Sequence, residues 1–302
     1  MSAVDEALRE VVADVPRELP ADVREVQRMY LDESKKRRRA EALESILVDA
    51  VRQCYAVKPD LKIPATTPRP KPKTDTVEVH LAHVSDLQGG KLTPTFNVAV
   101  LAAEMDIYAA KIEKLVARSR AAATVDELVI VLGGDLVEHE SKHPAQWAQI
   151  EISLFDQAIR VVPAIIARVV LRMARLFPRV RVRYIPGNHG TVKKSPAHPR
   201  TNWDQVAAEV ARLMVMGTDE FPHPGSERID WPLSESWYVV ERIFDWGVLA
   251  VHGDQVNGGF GGFPWYGTGR KANGWIDSIP EPWDYLIFGH FHTPMMVTPN
   301  HR

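Results

Sequence analysis

Strand-like and helix-like segments alternate regularly from Val77 onwards, and this alternation limits the possible folds more than any other feature. Residues 128–132 form a continuous apolar run of strand length, which is typical of a parallel strand covered on both faces. Further strands are predicted near residues 77–81, 180–184, 239, 248–251 and 286–288, and helices near residues 99–118, 145–176 and 202–216. Pro163 is expected to kink or split the second helix. Strands that alternate with helices predict an α/β core.

A short polar segment follows each of five predicted strands. The segments are Ser85-Asp86-Leu87-Gln88, Gly133-Gly134-Asp135, Gly187-Asn188-His189, Val251-His252-Gly253 and Gly289-His290-Phe291-His292. In an α/β fold the ligand site lies beyond the carboxyl ends of the strands, so we expect these segments to lie together. They supply carboxylate, amide and imidazole groups, which bind hard and borderline divalent metals. A single Gly-Asp or histidine would be weak evidence, but the ordered set predicts a site for two divalent ions.

Two details of these segments bear on how the ions would bind. Asp135 is a natural bridge between two ions, because a carboxylate has two oxygens with spare lone pairs. His290 and His292 are two positions apart, so on an extended segment their side chains point in opposite directions. They can serve two different ions only if the loop bends or if the ions straddle it.

The five segments resemble the motif pattern of the calcineurin-like metallophosphoesterase superfamily. That pattern runs Asp-x-His, Gly-Asp, Gly-Asn-His-Asp/Glu, a later His and Gly-His-x-His, and the similarity extends from Val77 to the end of the chain. The chain is most similar to phage-encoded members, in Gly187-Asn188-His189-Gly190 and in Gly289-His290-Phe291-His292-Thr293. The resemblance implies an α/β (α+β) fold, namely a two-sheet αββα metallophosphoesterase sandwich.

The resemblance also implies a hydrolase that acts on phosphate ester bonds, with a role for each donor. One ion would bind Asp86, Gln88, Asp135 and His292, and the second would bind Asp135, Asn188, His252 and His290. His189 would be a catalytic histidine that binds no metal. The cofactors would be two divalent ions, with Mn²⁺ expected and Mg²⁺, Fe²⁺ or Zn²⁺ as alternatives. Together they would activate a hydroxide that attacks phosphorus.

The sequence departs from the superfamily pattern in three places. Gln88 stands where histidine is usual, so the first site is expected to be weaker and to favour Mn²⁺ or Mg²⁺ over Zn²⁺. Gly190 stands where an acidic residue often orients the catalytic histidine, so another group, such as a backbone carbonyl or Asp204, is expected to orient His189. The chain ends ten residues after His292, so the second sheet is expected to lack an edge strand, and a second copy or a partner chain is a candidate to complete it.

The organisation of the chain follows from changes in composition. Residues 1–57 are predicted to be a helical N-terminal extension, residues 58–76 a Pro/Lys-rich linker, and residues 77–302 the metallophosphoesterase domain, whose C-terminal strands are either truncated or supplied by a partner. The basic run at residues 35–39 would contact phosphates or form a solvated helix face. Lys193 and Lys194 would bind substrate phosphates unless they are ordinary solvated lysines.

Composition narrows the class of protein and its partners. The formal net charge of −2 gives no overall attraction to nucleic acid or to an anionic membrane, so such affinity needs a local patch. A single cysteine, Cys54, excludes an internal disulfide and indicates a reducing compartment, expected to be the cytoplasm (of a bacterial host if the protein is phage-encoded). The most apolar stretch, residues 161–173, is interrupted by Pro163, Arg168 and Arg172, so no membrane partner is expected.

These observations favour a metal-dependent phosphodiesterase or nuclease that acts on DNA or another nucleic acid. Glycine-rich residues 256–267 carry Phe260, Trp265 and Tyr266, which could stack on bases or serve only for packing. Fold and metals do not determine the substrate, so two alternatives stay open. One is a phosphatase of small nucleotides or phosphoproteins, and the other is a weakly active module that binds nucleic acid.

Overall fold

The computed structural model describes residues 63–68, 74–142, 146–192, 198–257, 263–294 and 296. The predictions for the N-terminal extension, for most of the linker, and for Lys193, Lys194 and Phe260 lie outside these residues. Within the described part of the chain, every helix is too short or too polar to cross a membrane.

Part of the predicted linker packs against the domain that follows it. Ile63 is buried, and its N–H donates to the Pro224 carbonyl oxygen at 3.2 Å. The Arg228 guanidinium donates to the Pro64 carbonyl oxygen. Residues 63–68 are therefore attached to the domain by both apolar and polar contacts.

The first sheet contains four parallel strands in the order β1 (Val77–Val84), β2 (Thr124–Leu132), β3 (Arg179–Tyr184) and β4 (Ile229–Asp230). The last residues of three strands are in register, because Val84 pairs with Leu132 and Leu132 pairs with Tyr184. The loops that follow these three strands therefore start side by side. The strands predicted at residues 77–81, 128–132 and 180–184 all lie in this sheet.

Helices α1 (Val98–Ser119) and α2 (Val162–Ala174) pack against the first sheet, and α3 (Trp203–Met216) packs against α2. The helix predicted at residues 145–176 is interrupted. A 3₁₀ turn (Gln146–Gln149), a short α turn (Leu154–Asp156) and a π turn (Gln157–Val161) precede α2. Pro163 lies in the first turn of α2, where a missing N–H costs no helical hydrogen bond, so the predicted split near this proline is confirmed.

The second sheet contains β5 (Tyr238–Ile243), β6 (Trp246–Val251) and β7 (Tyr285–Phe288) in that order. β5 and β6 form an antiparallel hairpin, whereas β6 and β7 are parallel, with Val251 opposite Phe288. His252 and Gly289 therefore leave the sheet as neighbours. Helix α4 (Trp265–Ser278), which the sequence pattern did not reveal, precedes β7, and its Trp275 packs against β6.

The two sheets share a hydrophobic core. Val129 and Val131 of β2 are buried together with Ile185 and with Ala250 of β6. Partly buried residues from both sheets pack around them: Val79, Leu81, Val239, Ile243 and Ile287. Burying an aliphatic side chain stabilises a fold by about 1.5–3 kcal/mol, so this layer holds the sheets together. A parallel sheet, a second sheet and packed helices confirm the predicted mixed α and β class at this level of detail.

Charged residues replace the apolar layer at one side of the sheet interface. Glu241 of β5 is buried and contacts the guanidinium groups of Arg181 and Arg183 on β3. Arg181 Nε also lies 2.5 Å from Glu127 Oε1, and Arg183 Nη2 lies 2.7 Å from Asp230 Oδ2. The network therefore joins the sheets through the Glu241 carboxylate, which two arginines share, while Glu127 and Asp230 supply further negative charge.

We expect Glu241→Ala to lower the free energy of unfolding by about 3–5 kcal/mol, because two largely buried guanidinium groups lose their shared carboxylate. Arg160→Ala breaks an exposed pair with Asp156 and is the control, with an expected cost of no more than about 0.5 kcal/mol. Urea denaturation followed by circular dichroism measures both. Equal costs for the two variants would contradict a structural role for the network.

Candidate metal centre

The loops after the strands hold five non-glycine residues in the left-handed backbone conformation. They are Asp86 (φ 59°), Gln88 (φ 44°), Asp135 (φ 50°), His290 (φ 68°) and His292 (φ 51°). Among the described residues, Phe244 in the β5–β6 turn is the other non-glycine case. This conformation is unfavourable for residues with a Cβ atom and tends to occur at functional sites. Because both histidines adopt it, the segment between them is not extended, so the loop bends here.

Two glycines allow the loops after β2 and β3 to touch through their backbones. A Cβ atom on Gly187 would lie 2.1 Å from the Asp135 nitrogen and 2.2 Å from its Oδ1. A Cβ atom on Gly134, which has φ 87°, would lie 2.6 Å from the Gly187 nitrogen. Any larger residue would push Asp135 out of place, so both positions require glycine.

Four of the predicted donors come together. One ligand atom each from Asp135, His252 and His290 lies within 4.8 Å of the others. The His252 Nε2 atom lies 3.0 Å from Asp135 Oδ2 and 3.1 Å from Asn188 Oδ1. Asp135 and His252 are 1% and 0% exposed. These four residues are the ones that the resemblance assigns to the second ion.

The hydrogen bonds of His252 prepare its Nε2 atom for a cation. His252 Nδ1 lies 2.8 Å from the Gly133 carbonyl oxygen, which can only accept, so the proton sits on Nδ1. In the neutral imidazole the Nε2 lone pair then faces the oxygens of Asp135 and Asn188. Asp135 Oδ2 is buried, and the polar atom that faces it is His252 Nε2, at 3.0 Å. Three electron-rich atoms thus converge on one point, and this donor set fits a borderline divalent metal.

The pKa values of these groups reflect the same attraction for positive charge. Burial lowers the pKa of His252, but the hydrogen bond and charge of Asp135 outweigh burial and raise it to about 9. Burial and the charge of His252 lower the pKa of His290. Burial raises the pKa of Asp135, but His252 and His189 lower it overall. A divalent ion would supply the positive charge that a proton supplies otherwise.

Asp86 contacts both His292 and the backbone of His290. The His290 N–H donates to both carboxylate oxygens of Asp86, at 3.0 and 3.1 Å, and His292 Nε2 lies 3.3 Å from Asp86 Oδ1. Gln88 is buried, and its Oε1 accepts a hydrogen bond from Lys91 Nζ at 2.6 Å. The structure therefore brings two donors of the first predicted set together and places a lysine on the third.

His189 lies beside the four donors. Its backbone N–H donates to Asp135 Oδ1 at 2.7 Å, and its ring Nε2 lies 3.8 Å from Asp135 Oδ2. Its Nδ1 lies 2.6 Å from Glu138 Oε1. Burial lowers the pKa of His189, but the Glu138 hydrogen bond and the nearby carboxylates outweigh burial and raise it. As expected, a group other than residue 190 orients this ring, but that group is Glu138 and not one of the two examples given, a backbone carbonyl or Asp204.

Glu138 is itself held by buried glutamine contacts. The Glu138 N–H donates to Gln157 Oε1 at 2.7 Å, and Gln157 Nε2 donates to the Glu138 carbonyl oxygen at 3.0 Å. Gln146 also contacts the Glu138 carboxylate. Gln157 opens the π turn before α2, and such turns are frequent at functional sites. The signal in the sequence was an acidic residue three positions after Asp135, in the same loop.

Asp204, at the start of α3, clamps two loops of the centre together. Its carboxylate accepts N–H bonds from Asp135 at 2.8 Å, Leu136 at 2.9 Å and Val137 at 3.1 Å, all in the loop after β2. It also accepts one from Gly187 at 2.8 Å, in the loop after β3. Burial and the charge of Asp135 raise the pKa of Asp204 to about 6. Asp204 thus positions the metal donors without being one.

Comparison with known proteins adds one distant relative. No family model matches the chain. The chain is 24% identical over 181 residues to the SPbeta prophage-derived uncharacterized protein YonJ of Bacillus subtilis (strain 168). The aligned part is 58% of this chain and 40% of that protein, so the chain spans less than half of its relative. The prophage origin of this relative agrees with the predicted similarity to phage-encoded proteins.

We expect Asp204→Ala to lower the free energy of unfolding by about 3 kcal/mol or more, because four buried N–H groups lose their acceptor at once. Asp277→Ala, at an exposed position of α4, is the control and should stay within about 0.5 kcal/mol of the wild type. Urea denaturation in the presence of a chelator measures the effect without a contribution from metal. A cost near that of the control would mean that Asp204 is dispensable for the loops.

We expect His252→Ala to weaken Mn²⁺ binding by about 100-fold or more, because the ion loses a buried ligand whose ring is already oriented. His223→Gln is the matched control, since His223 hydrogen-bonds the Val215 carbonyl oxygen at the far end of α3. Isothermal calorimetry of chelator-treated protein gives both affinities. Unchanged Mn²⁺ affinity in His252→Ala would rule out the four-donor set as the binding site.

Proposed function

We propose that this protein is a metal-dependent phosphoesterase of the calcineurin-like metallophosphoesterase type, and that it cleaves phosphodiesters in DNA or another nucleic acid. The observation that carries the proposal is the four-donor set of Asp135, Asn188, His252 and His290, in which Asp135 and His252 are buried and beside which His189 lies. The donors occur along the chain in the order of that superfamily's motifs, and each follows a strand.

The fold is compatible with this proposal. The αββα sandwich of the superfamily has two stacked sheets with helices outside them. Here the first sheet packs against the second through the layer around Val129 and Ala250, α1 and α2 pack on the first sheet, and Trp275 of α4 packs on the second. We therefore propose that finer architecture for the chain.

A divalent ion held by the four donors, with Mn²⁺ expected and Mg²⁺, Fe²⁺ or Zn²⁺ as alternatives, would activate water and neutralise charge on the phosphoryl oxygens. The protein contributes an oriented donor set. The Gly133 carbonyl oxygen holds one proton of His252 on Nδ1, so Nε2 is the atom that would bind the ion in place of a second proton. Burial of Asp135 and His252 excludes bulk water, which strengthens electrostatic interactions with a bound phosphate.

His189 supplies a proton on the substrate side of the centre. Glu138 accepts at Nδ1 and stabilises the protonated ring, while Nε2 remains on the side of Asp135. The raised pKa of His189 favours the protonated form near neutral pH. In this proposal Nε2 donates its proton to the leaving oxygen of the phosphodiester, which is worth about 10²–10⁴-fold in rate.

Aromatic side chains next to the centre support a nucleic acid substrate over a simple phosphate monoester. The ring centroid of Phe291 lies 5.0 Å from that of His290. The ring centroid of Phe263 lies 5.1 Å from that of Phe291 and 4.9 Å from that of Trp265. Trp265 and Tyr266 are 59% and 80% exposed. Exposed aromatic rings that connect to the donor loop offer stacking surfaces for bases.

We expect His189→Ala to lower kcat for DNA hydrolysis with Mn²⁺ by about 10²–10⁴-fold and kcat for bis-p-nitrophenyl phosphate by less, because p-nitrophenolate leaves with little need of a proton, while Mn²⁺ affinity stays unchanged. The ring donates a proton but contributes no ligand atom to the ion. His223→Gln again serves as the control, with wild-type kcat and affinity. Loss of metal binding in His189→Ala would show that His189 is a ligand.

The function itself is tested by hydrolysis of bis-p-nitrophenyl phosphate, single-stranded DNA and duplex DNA with Mn²⁺. Activity on the diester and on DNA, abolished by a chelator and by Asp135→Asn, is the expected result. Activity on p-nitrophenyl phosphate, a nucleotide or a phosphopeptide alone would favour a phosphatase. Binding of DNA without hydrolysis of any ester would rule out an enzymatic function and would favour the module that binds nucleic acid.

A further inference from the structure

We propose that the ammonium group of Lys91 takes the place of the first metal ion, so that the centre works with one divalent ion and one fixed lysine cation. This rests on the proposed function. The inference starts from the contact between Lys91 Nζ and Gln88 Oε1 at 2.6 Å. Gln88 stands at a position that the resemblance assigns to an ion ligand.

The Gln88 oxygen is committed to the lysine. Gln88 is 4% exposed, so its amide oxygen has little water to exchange with. A neutral oxygen that accepts from an ammonium group is a poor ligand for a second cation, because the two positive charges repel each other at short range in a partly dry environment. The glutamine amide oxygen is an acceptor, and the ammonium group of Lys91 already donates to it.

The position of Lys91 is set by the backbone. Its N–H donates to the Gln88 carbonyl oxygen at 2.8 Å, which closes a four-residue turn. Gly90 lies in that turn, and a Cβ atom on it would lie 2.0 Å from Gln157 Nε2. The Glu151 N–H donates to the Gly90 carbonyl oxygen at 2.8 Å. The turn is therefore packed against the segment before α2, and this packing fixes the backbone position of Lys91.

Asp86 and His292, the donors of the first set other than Gln88 and the shared Asp135, do not form a complete site by themselves. Both oxygens of Asp86 already accept the His290 N–H, and His292 is half exposed. The described cluster of three ligand atoms within 4.8 Å contains neither Asp86 nor His292. A lysine ammonium can bind a phosphate oxygen as a point charge. Lys91 thus offers the charge neutralisation of a second ion without needing its ligands.

Metal stoichiometry tests the inference independently of activity. Calorimetry and electron paramagnetic resonance with Mn²⁺ should show one uncoupled ion per wild-type chain. Gln88→His alone should still bind one ion, because Lys91 remains, and Gln88→His/Lys91→Met should bind two exchange-coupled ions. Two coupled ions in the wild type, or in Gln88→His alone, would overturn the inference.

The catalytic part is tested by Lys91→Met on bis-p-nitrophenyl phosphate. We expect kcat/KM to fall about 100-fold with the affinity for the single ion within threefold, and Lys91→Arg to recover most of the loss. Lys111→Met, at an exposed position of α1, should change neither value. Wild-type kcat/KM in Lys91→Met would overturn the role of the lysine. One ion per chain without hydrolysis of any ester would instead refute the proposed function, and two ions with hydrolysis would refute only the inference.

Discussion

The geometry of the centre depends on the carboxylate of Asp204. It is buried, and it accepts N–H groups from the loop after β2 and from the loop after β3. Asp135 and Asn188 stand on those two loops, so one side chain determines how far apart these donors lie. Hydrogen bonds to a charged acceptor in a dry environment are stronger than neutral ones, which allows a single group to hold both loops. The distances between these metal donors therefore depend on Asp204, which is not itself a metal donor.

The cost of this arrangement lies in the backbone. Five of the predicted metal donors have positive φ, and each such backbone conformation costs of order 1–3 kcal/mol of folding free energy. The rest of the domain must offset that cost. The apolar layer between the sheets contributes to this offset, since burial of aliphatic side chains stabilises a fold. The apolar layer between the sheets thus supports the strained loops of the metal centre.

Much of the fold and of the donor set could be predicted from the sequence, since both depend on local pattern. Apolar runs marked the strands, and parallel strands end together, so the donors after β1, β2 and β3 were expected to meet. Helix α4 escaped because it is rich in glycine and polar residues. The partner of His189 escaped as well, because Glu138 reaches it only through the turn of its loop.

The sequence by itself determined which chemical groups are present and in what order, because those groups follow strands that periodicity reveals. Tertiary structure decided which group faces which. It placed Glu138 on His189, Lys91 on Gln88, the Gly133 carbonyl on His252 and Asp86 on His292. The physical reason is that these contacts depend on backbone turns and on packing between distant segments, to which no local pattern of residue types corresponds.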